Sequence, residues 1–137
     1  MIKNYFYLIA GVLFIILAVT HTIFGLGTAL PALHDSGISA DIATVFTFQL
    51  HMIGVQDLIY GLAAVFMAFQ KSAERTRLAA WIIMLIMAAR WIVMAIVTFM
   101  YNAGELADLL TSSIAFLVLL VLLFLGQRVN VKSGRTA

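Results

Sequence analysis

The chain has 137 residues, of which 64% are hydrophobic and only 10% are charged, and its formal net charge is +2. So few polar residues cannot cover a water-soluble globule, which excludes the soluble enzyme classes and indicates a protein that lives in lipid. The absence of cysteine excludes disulfides and thiolate chemistry.

Four apolar runs follow one another along the chain. They cover about residues 5–30, 44–69, 78–101 and 106–126, and a polar tail occupies 127–137. A hydrocarbon core about 30 Å thick needs roughly 20 helical residues, so each run is long enough to cross it. The short connections force neighbouring helices to be antiparallel. The sequence therefore predicts an all-α integral membrane protein, a single domain folded as an up-down four-helix bundle.

The breaks between the runs differ in chemistry. Pro31, followed by polar residues at 34–37, is expected to end the first run, a charged hinge covers 70–77, and Asn102 to Gly104 form a tight turn. Lys3 before the first run suggests a secretory signal. However, an apolar core of about 25 residues exceeds the about 7–15 of such signals, so we expect a retained span.

Charged residues separate by sign across the four predicted spans. Seven of the eight Lys and Arg fall on one side, and the two opposite connections hold acidic residues but no Lys or Arg. The basic residues are Lys3, Lys71, Arg75, Arg77, Arg128, Lys132 and Arg135, and the acidic ones are Asp35, Asp41, Glu105 and Asp108. Basic residues collect on the cytoplasmic side, so both termini are expected there. This anchoring accounts for the basic balance without a nucleic-acid partner.

Asp57 and Arg90 lie deep inside apolar runs. Asp57 is about 13 residues into the second run and Arg90 about 12 into the third, so at about 1.5 Å per residue both reach the membrane middle. An isolated charge there costs roughly 2.5 to 3.5 kcal/mol, which pairing reduces. We therefore expect a pair that serves either as a staple between helices or as part of a ligand or proton site.

Other residues extend this site on both helices. Gln49, Gln56 and Tyr60 fall within about 40° of one another on a helical wheel, and Asp57 lies about 60° from them. The third helix places further side chains on or near the face of Arg90, namely Met87, Met94, Val97 and Tyr101. The pattern predicts a cavity running from outer water to the charge pair. Alternatively, the glutamines bond neighbouring helices and the methionines fill gaps.

His21 and His51 lie at similar depths on the first two helices. Three uses are open: a histidine packed against a backbone carbonyl, a proton-handling or ligand-bonding group, and a bis-histidine haem site. No cofactor follows from the residues alone. No metal site is expected, because His34 and Asp35 in the predicted outer loop are only two residues and do not make a coordination shell.

Small residues recur on faces of the first two helices. Gly11, Ala18 and Gly25 repeat every seven positions on the first, and Gly54 and Gly61 do so on the second. Such faces let backbones approach closely, which predicts a seam between these two helices. A homodimer interface is the competing use.

The size, the four spans, the segment Gly25-Leu26-Gly27-Thr28-Ala29-Leu30-Pro31 and the charged hinge together resemble the small bacterial DoxX-like four-helix membrane proteins. The resemblance is one of pattern and transfers no functional residue. It implies a multi-pass protein of the bacterial cytoplasmic (inner) membrane, and some members of this group are linked to quinone oxidoreductase subunits.

Three functions from different classes are compatible with these observations. The first is an accessory subunit or a binder of a lipid-soluble small molecule such as a quinone, held around Asp57 and Arg90. The second is an intramembrane enzyme on an apolar substrate, using the same pair with a His or Tyr relay. The third is a proton-coupled dimeric transporter with Asp57 as the carrier. The expected partners are the bilayer, a small molecule, and a partner subunit or second copy.

Overall fold

A computed structural model describes residues 4–101, 104 and 106–134, while the side chains at 106–108, 111–112 and 130–134 lie outside that description. The described residues form helices and short connections, with no strand among them. The elements in chain order are α1 (Tyr5–Phe24), a π-helical segment (Gly25–Ala29), α2 (Leu30–Asp35), α3 (Ala40–Phe69), α4 (Ala73–Tyr101) and α5 (Leu106–Gly134). The all-helical class predicted from the sequence is confirmed.

Three of the described helical segments are long and apolar enough to cross a membrane, namely Tyr5–Asp35, Ala40–Phe69 and Ala73–Tyr101. In α5 the described apolar stretch, Ser113–Val129, is shorter. Large apolar side chains cover the outside of the molecule; Ile9, Leu85 and Phe99, for example, are all exposed. In water such a surface would aggregate, whereas in lipid it is the expected one, so the structure fits a multi-pass membrane protein.

The first helical run continues through Pro31 and ends within the polar segment 34–37, which was predicted to end it together with Pro31. The π-helical segment follows α1 directly, and Pro31 lies in the first turn of α2, which continues to Asp35. Proline lacks an N–H and its ring clashes with the carbonyl four residues earlier, a conflict that a wider π turn relieves. Ser36 caps the end of α2, and Gly37 follows with a φ of 71°, a left-handed conformation that glycine adopts readily.

Two other helices begin earlier than predicted. α3 begins at Ala40 and not near residue 44, and α4 begins at Ala73 and not near residue 78. α5 ends at Gly134 and so includes most of the predicted polar tail. Several sequence predictions lie outside the described residues or side chains, namely those for Lys3, Asn102, Ala103, Glu105, Asp108, Lys132 and Arg135.

Asn4 connects α1, α3 and α5 by hydrogen bonds. Its backbone N–H donates to the Ala68 carbonyl at 3.1 Å, and its Nδ2 donates to the Gly126 carbonyl at 2.7 Å. Its Oδ1 accepts from the backbone N–H groups of Phe6 and Tyr7, which caps α1. The start of α1, the end of α3 and the last third of α5 therefore meet at one end of the molecule, called here the terminal end. The opposite end, where residues 36–39 connect α2 to α3 and where α4 ends at Tyr101, is called the loop end.

The helices are ordered α3, α1, α5, α4 around the molecule. α1 packs broadly on α3 and also on α5, and α4 packs on α5, whereas the consecutive helices α3 and α4 touch little. The buried core lies toward the terminal end and includes Tyr7, Phe14, Met67, Ile83 and Leu123. The loop half is consequently less filled by side chains.

The seam between α1 and α3 depends on glycine. A Cβ on Gly11 would lie 2.7 Å from the backbone nitrogen of Val65 and 2.8 Å from the carbonyl oxygen of Gly61, and one on Gly54 would lie 3.0 Å from Thr22 Oγ1. The predicted close packing of these helices is confirmed. Gly11, Gly54 and Gly61 pack between α1 and α3 of the same chain and are therefore not on the surface that the homodimer alternative needs.

We predict that Gly11→Ala lowers the free energy of unfolding by about 1–3 kcal/mol, because the new methyl group meets backbone atoms and forces the two helices apart. Helix propensity alone would give the opposite sign, since alanine is favoured over glycine by about 1 kcal/mol. The measurement is denaturant unfolding in detergent, followed by circular dichroism. Gly27→Ala is the matched control, because a Cβ there meets nothing within 4 Å. Equal stability of Gly11→Ala and wild type would contradict this account of the seam.

Candidate functional site

Asp57 is a buried carboxylate in α3, with 6% of its residue surface exposed. Gly54 and Gly61 lie three positions before it and four after it. Both glycines bring α3 close to α1, since no side chain separates the two backbones there. The close approach places His21 of α1 within reach of the carboxylate.

His21 and Arg90 approach different oxygens of Asp57. His21 Nδ1 lies 3.3 Å from Oδ2, and Arg90 Nη1 lies 3.4 Å from Oδ1. One carboxylate on α3 therefore connects α1 with α4. These three residues are called the Asp57 cluster below. The two charges that the sequence placed within reach of each other are in contact, and His21, one of the candidate proton-handling residues, is the third member of the cluster.

The surroundings of His21 determine which ring nitrogen carries hydrogen. Nδ1 lies 3.1 Å from the Leu17 carbonyl oxygen as well as 3.3 Å from Asp57 Oδ2, and both atoms are acceptors. Nδ1 is therefore assigned as the protonated nitrogen. In the neutral ring this leaves Nε2 as an acceptor. A carboxylate that fixes an imidazole tautomer in this way also orients the ring.

The members of the cluster differ in exposure. The Asp57 side chain is 9% exposed, whereas the Arg90 and His21 side chains are 29% and 39% exposed. A guanidinium has five N–H donors, and within the described part of the chain Arg90 forms only the one contact with Asp57. The remaining donors are available to a molecule in the adjoining space.

That space is a cavity of about 430 Å³ between α1, α3, α4 and α5. It lies in the loop half of the molecule, where α3 and α4 are held together by the Asp57 to Arg90 contact and pack little otherwise. Its lining is mostly apolar and aromatic and consists of Phe14, Leu17, Thr20, His21, Phe24, Asp57, Tyr60, Met87, Arg90, Trp91, Met94, Ala115, Phe116 and Leu119. A pocket of this size with few polar groups suits a small, largely apolar ligand.

Aromatic side chains fix two walls of the cavity. Trp91 stacks on Phe116 with ring centroids 5.9 Å apart, and its Nε1 donates to Ser113 Oγ at 2.8 Å. Phe14 meets Tyr60 edge to face at 5.7 Å. Because the indole N–H is already used, Trp91 offers the cavity a ring face and not a hydrogen-bond donor.

The other predicted site residues divide into two groups. Tyr60 lines the cavity, and Gln56 donates from Nε2 to the Tyr60 hydroxyl without lining the cavity itself. Gln49 and His51 are exposed on α3 and do not line it. A haem between His21 and His51 would need both histidines to face one space, and only His21 lines this cavity. The described ranges hold no group of three or more His, Cys, Asp or Glu residues that could bind a metal ion.

Sequence reasoning missed the contribution of α5 and most aromatic walls. Ala115, Phe116 and Leu119 line the cavity although α5 carries no charged group at that level. The only sequence feature that could have indicated an aromatic wall is that Trp91 directly follows Arg90. On α4, Met87 and Met94 line the cavity as predicted, while Val97 and Tyr101 do not.

We predict that Asp57→Asn and Arg90→Gln are energetically coupled. A double-mutant cycle on the free energy of unfolding should give a stabilising interaction of about 0.5–3 kcal/mol in the wild-type pair. The matched control combines Arg90→Gln with Asp41→Asn, because Asp41 lies about 24 Å from Asp57 along α3 and its effect should be additive. A zero coupling energy for Asp57 and Arg90, within the error of the control, would show that their proximity contributes no stability.

No protein-family model, curated protein or solved structure matches this chain. The resemblance to DoxX-like proteins therefore stays a prediction.

Proposed function

We propose that this chain is a four-span inner-membrane protein that binds a lipid-soluble small molecule such as a quinone, acting as a binder or as an accessory subunit of a larger complex. The observation that carries this proposal is the position of the Asp57 cluster on the wall of a cavity that is otherwise aromatic and apolar. An apolar body with a few hydrogen-bonding atoms at one edge matches that distribution.

The polar atoms favour a ligand that accepts hydrogen bonds. Arg90 has free N–H donors, and the Tyr60 hydroxyl, which accepts from Gln56, keeps its own O–H for a cavity ligand. A quinone carries carbonyl oxygens that only accept, on a flat ring that can stack on Trp91. Because Asp57 and Arg90 balance each other in charge, a neutral ligand adds no unpaired charge to the site.

The four-span bundle belongs to the same proposal. α5 is 29 residues long, which at about 1.5 Å per residue suffices to cross a bilayer, and it supplies one wall of the cavity. The terminal end carries Lys71, Arg75, Arg77 and Arg128, so we place it and both termini in the cytoplasm.

The test is quenching of Trp91 fluorescence by a short-tailed benzoquinone in a Trp81→Phe background, which leaves Trp91 as the single tryptophan. We expect saturable quenching when the cavity residues are unchanged. Arg90→Gln should weaken binding about 10- to 100-fold, which corresponds to the loss of a hydrogen bond from a charged donor.

A matched pair on α5 separates the cavity from the lipid surface. Ala115→Phe adds a ring to the cavity wall and should abolish saturable quenching, whereas Val118→Phe, on the exposed face of the same helix, should leave it unchanged. Helical content and melting are measured for each variant. Quenching that rises linearly with quinone in the membrane, equally in both variants, would overturn the proposal.

An intramembrane enzyme is the second candidate, favoured by the contact of His21 with Asp57. A carboxylate on Nδ1 leaves Nε2 to accept a proton, which is the arrangement of an oriented general base. If the protein is this enzyme, Asp57→Asn should stop turnover while the fold survives. Mass spectrometry of membrane lipids and small apolar molecules from cells expressing each form makes the comparison. Identical profiles for wild type and Asp57→Asn would rule out the enzyme.

A further inference from the structure

A second groove, wholly apolar, lies on the surface between α4 and α5. Its volume is about 490 Å³, and it shares no lining residue with the cavity at the Asp57 cluster. Side chains that line it include Trp81, Leu85 and Ala88 from α4 and Leu117, Val121 and Phe124 from α5. Leu85 is 70% exposed and Val121 is 54% exposed, so protein atoms leave the groove largely unfilled.

Each helix carries an arginine one turn beyond the groove, toward the terminal end. Arg77 precedes Trp81 by four positions on α4, and Arg128 follows Phe124 by four positions on α5. Residues four apart lie on the same face of a helix, so both arginines continue the groove's own stripes. α4 and α5 run in opposite directions, which puts both guanidinium groups at the same end of the groove.

The guanidinium of Arg128 is held at this end by an aromatic ring. Its Cζ lies 4.6 Å from the centroid of Phe124, a residue that lines the groove. Both Arg77 and Arg128 are exposed, and neither has a carboxylate partner among the described residues. Two cations without a carboxylate partner therefore stand at one end of the apolar groove.

We infer that this groove is a binding site for an anionic phospholipid, with an acyl chain along α4 and α5 and the phosphate at Arg77 and Arg128. Guanidinium groups match phosphate oxygens in geometry and charge, and basic pockets between helices near the cytoplasmic surface select anionic headgroups. The groove runs about 10 Å along each helix, and each arginine lies about 6 Å beyond it, which orders headgroup and chain as in a bilayer leaflet. The inference is independent of the proposed cavity ligand.

The test places the protein in nanodiscs in a Trp91→Phe background, so that Trp81 in the groove is the single tryptophan. Phosphatidylglycerol or phosphatidylcholine with brominated acyl chains is added at equal mole fractions, and quenching of Trp81 reports the relative occupancy of the groove. We expect phosphatidylglycerol to quench more strongly. Each of Arg77→Gln and Arg128→Gln should reduce the preference about five-fold, and the double variant should remove it.

Two further variants separate a built site from general attraction. Arg75→Gln removes one charge at the same end of α4 but off the groove's stripe, so it should keep the preference. Ala88→Phe fills the groove without changing charge and should lower quenching by phosphatidylglycerol. Equal quenching by both lipids in wild type, or the same loss for Arg75→Gln as for Arg77→Gln, would overturn the inference. Circular dichroism confirms the fold of each variant.

Discussion

A carboxylate in an apolar interior must be neutralised or given hydrogen-bond donors, and this requirement on Asp57 connects the parts of the molecule. Asp57 is 6% exposed, and the donors around it come from neighbouring helices. His21 reaches one oxygen because glycines let α3 approach α1, and Arg90 reaches the other from α4. The glycine seam, His21 and Arg90 therefore all contribute to placing hydrogen-bond donors around the Asp57 carboxylate.

The same arrangement explains why a cavity persists beside the charges. Side chains fill the terminal half, but α3 and α4 touch little, and the Asp57 to Arg90 contact joins them in the loop half. An arginine engaged by a single contact keeps donors for a ligand, and aromatic residues shape the remaining walls. This favours a binder of a flat, carbonyl-bearing apolar molecule. The oriented His21 is the basis of the alternative proposal of an enzyme, and Gly11, Gly54 and Gly61 pack in the seam between α1 and α3.

Composition and run length were sufficient to predict the helical class, and charge depth was sufficient to predict that Asp57 and Arg90 lie within reach of each other. Both depend on one-dimensional regularities, namely hydropathy and rise per residue. Trp91 and Ala115 needed three-dimensional information, because the spacing of residues does not show that α5 packs beside α1 and α4. The continuation through Pro31 depends on a local π turn that propensities do not reveal. The hydrogen bonds that connect Asn4 to α3 and α5 could not be predicted from the sequence, because asparagine before an apolar run indicates only a helix cap.

The most direct measurement is the dipolar coupling between the ¹⁵N-labelled Arg90 guanidinium and the ¹³C-labelled Asp57 carboxylate, by solid-state NMR in lipid bilayers. The account predicts a short-range cross-peak, consistent with the Nη1 to Oδ1 distance of 3.4 Å, that Asp57→Asn removes or shifts. A bilayer spectrum in which the folded protein shows no contact between these groups would contradict the account.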